Sequence, residues 1–219
     1  MNTGGRTADN AIQNSTDEWD GTNWTLVPGT LNTGRGSFHG TGVQTAGIVA
    51  GGVTPSNTSA AETYNGTTWT TVSSMLVVKT MTSIAGTQTA ALMFGARPPD
   101  NGSASVEEYN GTSWSEENNI NTARSEGGGS GTVTAAMLIT GQNAPGETVT
   151  AVVEQWNGTS WTEVADVATA RKAMPGSGTS GTTSASIIWG GFSSPTPPAI
   201  TATEEWNDPV LSTKTVTVS

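Results

Sequence analysis

Residues 156–162 read Trp-Asn-Gly-Thr-Ser-Trp-Thr, and nearly the same string occurs four times in the chain. The other copies are WDGTNWT from Trp19, YNGTTWT from Tyr64 and YNGTSWS from Tyr109, with a worn fifth, WNDPVLST, from Trp206. Trp24, Trp69, Trp114 and Trp161 follow one another at intervals of 45, 45 and 47 residues. A period of this length belongs to propeller blades or to helical solenoids. Composition decides between the two. The 219 residues are rich in Thr and Gly, which are poor helix formers, and no apolar stripe of helical period runs through them. Each unit must therefore be built of strands.

The third copy shows what one unit contains. Residues 121–131, NTARSEGGGSG, read as a weak, glycine-rich first strand. Residues 132–141 form a second, whose core Ala135–Ile139 is apolar on both faces, as in a strand covered on each side. TAVVEQW (150–156) and SWTEV (160–164) are the third and fourth. The opening string joins these last two. Asn-Gly is a strong hairpin signal because both residues accept positive φ, and Trp156 and Trp161 then face each other across the ladder. The second strand recurs as AGIVAGG (46–52), AALMFGA (90–96), AAMLITG (135–141) and ASIIWGG (185–191). MNTGGR at the N-terminus reads like LNTGR (31–35), the entry to a first strand, and no IVAGG-like run separates Arg6 from Trp19. An acid lies two residues before each aromatic, at Asp17, Glu62, Glu107, Glu154 and Glu204. A base opens each first strand, at Arg35, Lys79, Arg124 and Arg171, with Arg6 as a fifth candidate. One acid and one base per unit predict ion pairs that tie strands or neighbouring units together.

The order of base, apolar strand ending in Gly-Gly, Glu-x-aromatic, turn and Trp resembles the kelch repeat, on the strength of IVAGG, IIWGG and EEYNGTSW. The resemblance covers about residues 30–219 and departs from kelch in its shorter unit and its Asn-Gly-Thr turn. It implies an all-β fold, a β-propeller of four-stranded blades in a single domain. Five blades are preferred, with units at about 1–30 (partial), 31–75, 76–119, 120–166 and 167–219. The alternative is four blades plus an N-terminal hairpin. The variant with NTAR, GTQTA, EEYNGTSW and the terminal TKTVTVS looks like repeats in tail-fibre and other structural proteins of marine bacteriophages. That likeness implies a virion location, with other virion proteins or a host surface polysaccharide as partners and a homo-oligomer as a further state.

Several function classes are disfavoured. The net charge is −10 and the bases are scattered, so no nucleic-acid partner is expected. No apolar run reaches 18 residues, so no membrane insertion by a helix is expected, and the N-terminus lacks the pattern of a signal peptide. With no Cys, one His and two Tyr, the copper-oxidase chemistry found on kelch-like folds has no residues to carry it. The five Arg are one per unit, unlike the clustered set of a sialidase-like site, and the adjacent acids Glu107-Glu108, Glu116-Glu117 and Glu204-Glu205 point to opposite faces of a strand. His39 falls between two candidate strands and is expected on a loop or rim without a partner. Asn-x-Ser/Thr sequons at Asn23, Asn65, Asn110 and Asn157 read as turns. The expectation is a non-enzymatic protein with no cofactor and no metal.

Binding has more to support it. The connections that follow the second strand, at 51–61, 95–105, 141–150 and 190–201, differ in sequence while the scaffold repeats. All should stand at one rim, which is where recognition loops are diversified. The candidate ligand-binding residues are Asn57, Pro99, Asp100, Asn101, Asn143, Trp189 and Phe192. Trp189 can stack on a sugar ring or fill the core. The expected function is a phage virion fibre or appendage that recognises a host surface glycan. The alternatives are a virion adaptor or decoration protein and, third, a carbohydrate-active enzyme.

Overall fold

The repeated turn works through its two central side chains. Asn157 Oδ1 accepts hydrogen bonds from the N–H groups of Thr159 and Ser160, both at 2.9 Å, and Gly158 takes φ 89°. Asn65 and Asn110 do the same for their own turns, and Asp20 substitutes its carboxylate at 2.7 Å. Only the glycine adopts the left-handed conformation. The Asn or Asp is retained as an acceptor, forming an Asx-turn, where sequence suggested a second positive-φ residue. The aromatics on either side pair across the ladder as expected, Tyr64 with Trp69, Tyr109 with Trp114 and Trp156 with Trp161, at ring-centroid distances of 4.9, 5.1 and 5.4 Å.

The computed structural model describes residues 1–97, 103–143, 148–172, 180–193 and 200–207. Within them the chain is all-β, in successive antiparallel units. The first unit comprises β1 (Asn2–Thr3), β2 (Thr16–Trp19) and β3 (Trp24–Val27). The second comprises β4 (His39–Val43), β5 (Ala46–Ala50), a small hairpin of β6 (Val53–Thr54) and β7 (Ser56–Asn57), then β8 (Ala61–Tyr64) and β9 (Trp69–Val72). The third runs β10 (Ser83–Thr87), β11 (Ala90–Ala96), β12 (Ser103–Tyr109) and β13 (Trp114–Glu117). After the short β14 (Arg124–Ser125), the fourth runs β15 (Gly128–Thr132), β16 (Ala135–Asn143), β17 (Val149–Trp156) and β18 (Trp161–Val164). By pairing with both β12 and β16, β14 joins these two units into one nine-stranded sheet. The fifth has β19 (Ser180–Thr182), β20 (Ala185–Trp189) and β21 (Thr203–Asn207). The terminal TKTVTVS, which pairs with TATEEW as the last hairpin in the sequence reading, lies outside the described residues.

Register corrects the reading of the N-terminus. Asn2 pairs with Asp17 as Val49 pairs with Glu62, and Gly4 and Gly5 carry positive φ as Gly51 and Gly52 do. Residues 1–5 are therefore the end of a second strand, not the entry to a first. Arg6 then matches Val53 and not the opening base, and it is exposed, donating to Asn10. No described residue occupies the first-strand place of this unit.

Strand alternation gives each unit two apolar faces. One carries the aromatic pair and packs back on the preceding unit. The other carries Ile48 and Ala50, or their equivalents, and packs forward. The core is accordingly a series of clusters between units. Ile48, Ala50, Ala61 and Met75 lie on Met93, Tyr109 and Trp114. Leu92, Phe94 and Val106 lie on Leu138, Trp156 and Trp161. Met137, Ile139 and Val153 lie on Ile188 and Trp206. Polar contacts add direction: Trp69 Nε1 donates to Thr16 Oγ1 at 2.9 Å and the Tyr64 hydroxyl to Glu18 at 2.8 Å. Burial and the neighbouring Glu18 carboxylate push the Tyr64 phenol up to about 12. The first strands β4, β10, β15 and β19 stand beside one another in turn. Their glycine content permits that approach: a Cβ on Gly129 would lie 2.6 Å from the Ile84 carbonyl oxygen.

The end units show what coverage does. Trp19 and Trp24 pair like the others, at 5.7 Å, but are 42% and 56% exposed, against 1% and 5% for Tyr64 and Trp69. At the other end Trp189 occupies the place of the buried Ala50, Phe94 and Ile139 yet is 37% exposed, because no described unit packs on it. It does not fill the core. Trp69→Ala should therefore cost about 3–5 kcal/mol and Trp24→Ala about 1 kcal/mol or less, read from urea unfolding midpoints. Equal losses at both positions would show that the first unit's aromatic face is covered in solution.

Candidate functional site

The site is positioned by a buried clamp that each complete unit repeats. The acid before the aromatic reaches from the third strand to the segment that enters the unit. Glu62 accepts from the Asn32 and Thr33 N–H groups at 2.7 and 3.3 Å and pairs with Arg35 at 2.7 Å. Glu107 does so with Leu76, Val77 and Lys79, and Glu154 with Asn121, Thr122 and Arg124. Glu204 holds Ala168 and Arg171 in the fifth unit. The bases also donate to carbonyls, Arg35 to those of Gly51 and Ala60 at 2.9 and 2.7 Å. Burial pulls the Lys79 ammonium and the Arg124 guanidinium below their ordinary pKa values, and the attraction of Glu107 and Glu154 opposes that. The pairs thus tie each unit's entry to its own third strand, and do not bridge neighbouring units.

The clamp fixes the two residues that follow the base. The first pairs with the residue just past the glycine-rich end of the second strand: Gly36 with Val53, Thr80 with Arg97, Ser125 with Gln142 and Lys172 with Phe192. The next, Ser37, Met81 or Glu126, takes a positive φ of 54°, 48° or 58°. Its backbone links the units, with Met81 N–H donating to the Ser37 carbonyl and Glu126 N–H to the Met81 carbonyl, both at 2.9 Å. The backbone is constant at these places while the side chains differ in every unit.

In the third to fifth units those side chains form a polar cluster. Glu126 Oε1 lies 3.6 Å from Arg97 Nε, and its Oε2 lies 3.8 Å from Lys172 Nζ. Lys172 Nζ donates to Gln142 Oε1. Gln142 is fully buried, and its Nε2 has no hydrogen-bond partner, nor has the hydroxyl of Ser125 paired opposite it. Buried polar groups are normally satisfied, so two unpartnered ones beside a loosely paired carboxylate stand out as a candidate contact point. Two residues before Gln142, Thr140 sits at φ 61° where the other units have Gly4, Gly51, Gly95 and Gly190. A buried β-branched residue there is strained, and its Oγ1 also lacks a partner.

The chain resembles YjhT in fold. The solved structure of YjhT, a kelch-type β-propeller, superposes with a TM-score of 0.74 over 92% of this chain and 76% of that one, at 9% identity. No protein-family model matches the sequence, and no curated protein matches it.

Two of the residues expected at the rim adjoin the cluster. Asn143 follows Gln142 at the end of β16, its N–H donating to the Thr148 carbonyl at 2.9 Å and its Oδ1 unpartnered. Phe192 is half-buried and backbone-paired with Lys172. Trp189 lies on the outer face of β20, and Asn57 is exposed on the β6–β7 hairpin. Pro99, Asp100 and Asn101 lie outside the described residues. Sequence reading missed Arg97, Ser125, Glu126, Thr140, Gln142 and Lys172. Aligning the units by their bases and glycines would have exposed them as the positions where the repeat breaks its own pattern.

His39 begins β4, so it is a strand residue and not a loop residue. Its Nδ1 is buried without a partner, and burial lowers the imidazole pKa. The unfolded chain, with an ordinary His pKa of about 6.5, then binds the proton more readily than the folded one. Stability should be full above about pH 6.5 and decline as pH falls through that value. Melting temperatures of wild type and His39→Gln across that window check this, and equal slopes would refute it. A second measurement concerns the clamp. Glu154→Gln should cost about 3–5 kcal/mol in urea unfolding, because Arg124 is left buried and unpaired. The double change Arg124→Met with Glu154→Leu should cost clearly less.

Proposed function

We propose that the chain is a kelch-like β-propeller of the bacteriophage tail-fibre type, a non-enzymatic virion module whose loop-bearing end binds a host surface glycan. The observation that carries this reading is the cluster around Glu126. A repeated scaffold holds three side-chain positions per unit in constant geometry and varies what stands there. In one sector it collects a carboxylate, an amide, a hydroxyl and two cations beside the half-buried ring of Phe192. Saccharides are recognised by such mixtures, in which hydroxyls meet acceptors and donors while an apolar ring face covers the sugar. The likeness of the repeats to marine-phage fibre sequences supports the virion setting. The fold shared with YjhT supports the propeller.

The bare aromatic face of the first unit favours a second reading, an adaptor that packs on another virion protein. Trp24 and Leu26 are 56% and 66% exposed there, beside Trp19. Two measurements separate these. Mass spectrometry of purified particles should detect the chain, and its absence would end both virion readings. A glycan array probed with the purified chain should show selective binding that Gln142→Leu reduces by about tenfold, the worth of a charge-assisted or buried hydrogen bond. A chain found in particles but silent on the array would leave the adaptor reading in place and remove the glycan one.

A further inference from the structure

Side-chain packing between units joins the same two faces throughout, and each face is left open once, at opposite ends of the series. The aromatic face of the first unit exposes Trp19, Trp24 and Leu26. The second, third and fourth units hold Thr71, Glu116 and Glu163 at the place of Leu26. The one apolar residue among these four thus stands on the face that no described unit covers. The forward face of the fifth unit exposes Trp189, its cross-strand partner Thr203, and Glu205 two residues further along β21.

The contact between the first and second units shows what these open faces can do. There the forward face offers two acceptors: Thr16 Oγ1 takes the indole N–H of Trp69 at 2.9 Å, and Glu18 takes the Tyr64 hydroxyl at 2.8 Å. Aligned on their aromatics, Thr16-Asp17-Glu18-Trp19 matches Thr203-Glu204-Glu205-Trp206. The units between have Ala61, Val106 and Val153 in place of the threonine. The fifth unit therefore repeats both acceptors of the first, on a face that is exposed. The places of Tyr64 and Trp69 are held in the first unit by Trp19 and Trp24, whose indole N–H groups are the two matching donors. The apolar part of the contact also has a counterpart inside the chain. Phe94 of the third unit lies edge-on to Trp161 of the fourth, with ring centroids 5.0 Å apart. The residues at those two places on the open faces are Trp189 and Trp24.

We propose that the forward face of the fifth unit seats the aromatic face of the first unit of a second copy of this chain. Trp189 packs on Trp24 of the other copy. Thr203 accepts from the Trp24 indole N–H and Glu205 from that of Trp19. Within one copy both faces are exposed, so they do not meet each other there. The two faces differ, which makes the contact heterologous, and it passes from copy to copy in an open series. The inference goes beyond both readings of the function and rests on neither.

Sedimentation of the full chain over a range of concentrations tests it. Wild type should pass from monomer to dimers and larger species as concentration rises. Trp24→Arg blocks one face and Trp189→Arg the other, and each variant alone should stay monomeric. Mixed in equal amounts, the two should form a dimer and nothing larger, because each keeps the face that the other has lost. Thr203→Val, which keeps the shape of the side chain, should weaken wild-type association by about tenfold by leaving the Trp24 N–H unpaired. Thermal melts confirm that each variant is folded. A wild-type chain that is monomeric at every concentration would overturn the inference, whether its two faces close on each other or await a different partner. Association that Trp24→Arg abolishes and Trp189→Arg leaves intact would show like faces meeting and would overturn it too. So would a mixture of the two variants that stays monomeric.

Discussion

The buried carboxylate two residues before each aromatic is the constraint on which the rest depends. A four-stranded sheet of this width has no helix to anchor its edges, and the segment that enters it is not itself part of the ladder of its third strand. Glu62, Glu107 and Glu154 solve this with one side chain each, accepting two backbone N–H groups of the entry segment and one cation from it. Desolvating an ion pair is costly, and such a pair gives little net stability against an apolar substitute. What it fixes is register. Once the base is seated, the next residue must pair with the end of the second strand and the one after must turn back with positive φ. The first aromatic of each pair sits two residues further along the same strand and faces its partner on the next.

Burial in this fold is an affair between units. Each sheet alternates an aromatic face with an aliphatic one, and neither is covered until a neighbour arrives. Ile48 and Ala50 have the accessibility of core residues because Tyr109 and Trp114 stand over them. Trp189 occupies the same place as Ala50 and stays open. Hydrophobic stabilisation is therefore distributed along the series of units, as in other repeat architectures, and is weakest at its ends.

Much of this was legible in the sequence. In the second, third and fourth units the aromatic pair, the Asn-Gly turn, the apolar second strand and the acid and base recur at fixed offsets, and there each has the partner its spacing implied. The misreadings share a cause. Residues 1–5 contain a glycine pair but no apolar run, so their second-strand identity shows only in the register of Asn2 with Asp17. Trp189 looked like a core residue because its type of position is a core position, and sequence identifies the position without its neighbour. The cluster around Glu126 was overlooked because its members come from three units and do not repeat. A search tuned to periodicity discards such residues, and the loop tips drew attention in their place.

That failure points to how such a scaffold acquires a site. Side chains inside the clamps and between the faces are bound to the repeat, since changing one spoils a contact that every unit makes. The two positions after the base and the one past the glycines are held just as firmly by backbone, but their side chains are not needed for packing: Gly36, Ser37 and Val53 serve as well there as Lys172, Glu126 and Gln142. A group placed there gains a rigid mount without costing the fold a contact. Thr140 shows the one local expense, a strained backbone where its counterparts are glycine. Strain retained at a buried β-branched residue, where every described equivalent is glycine, sets the fourth unit apart from its neighbours.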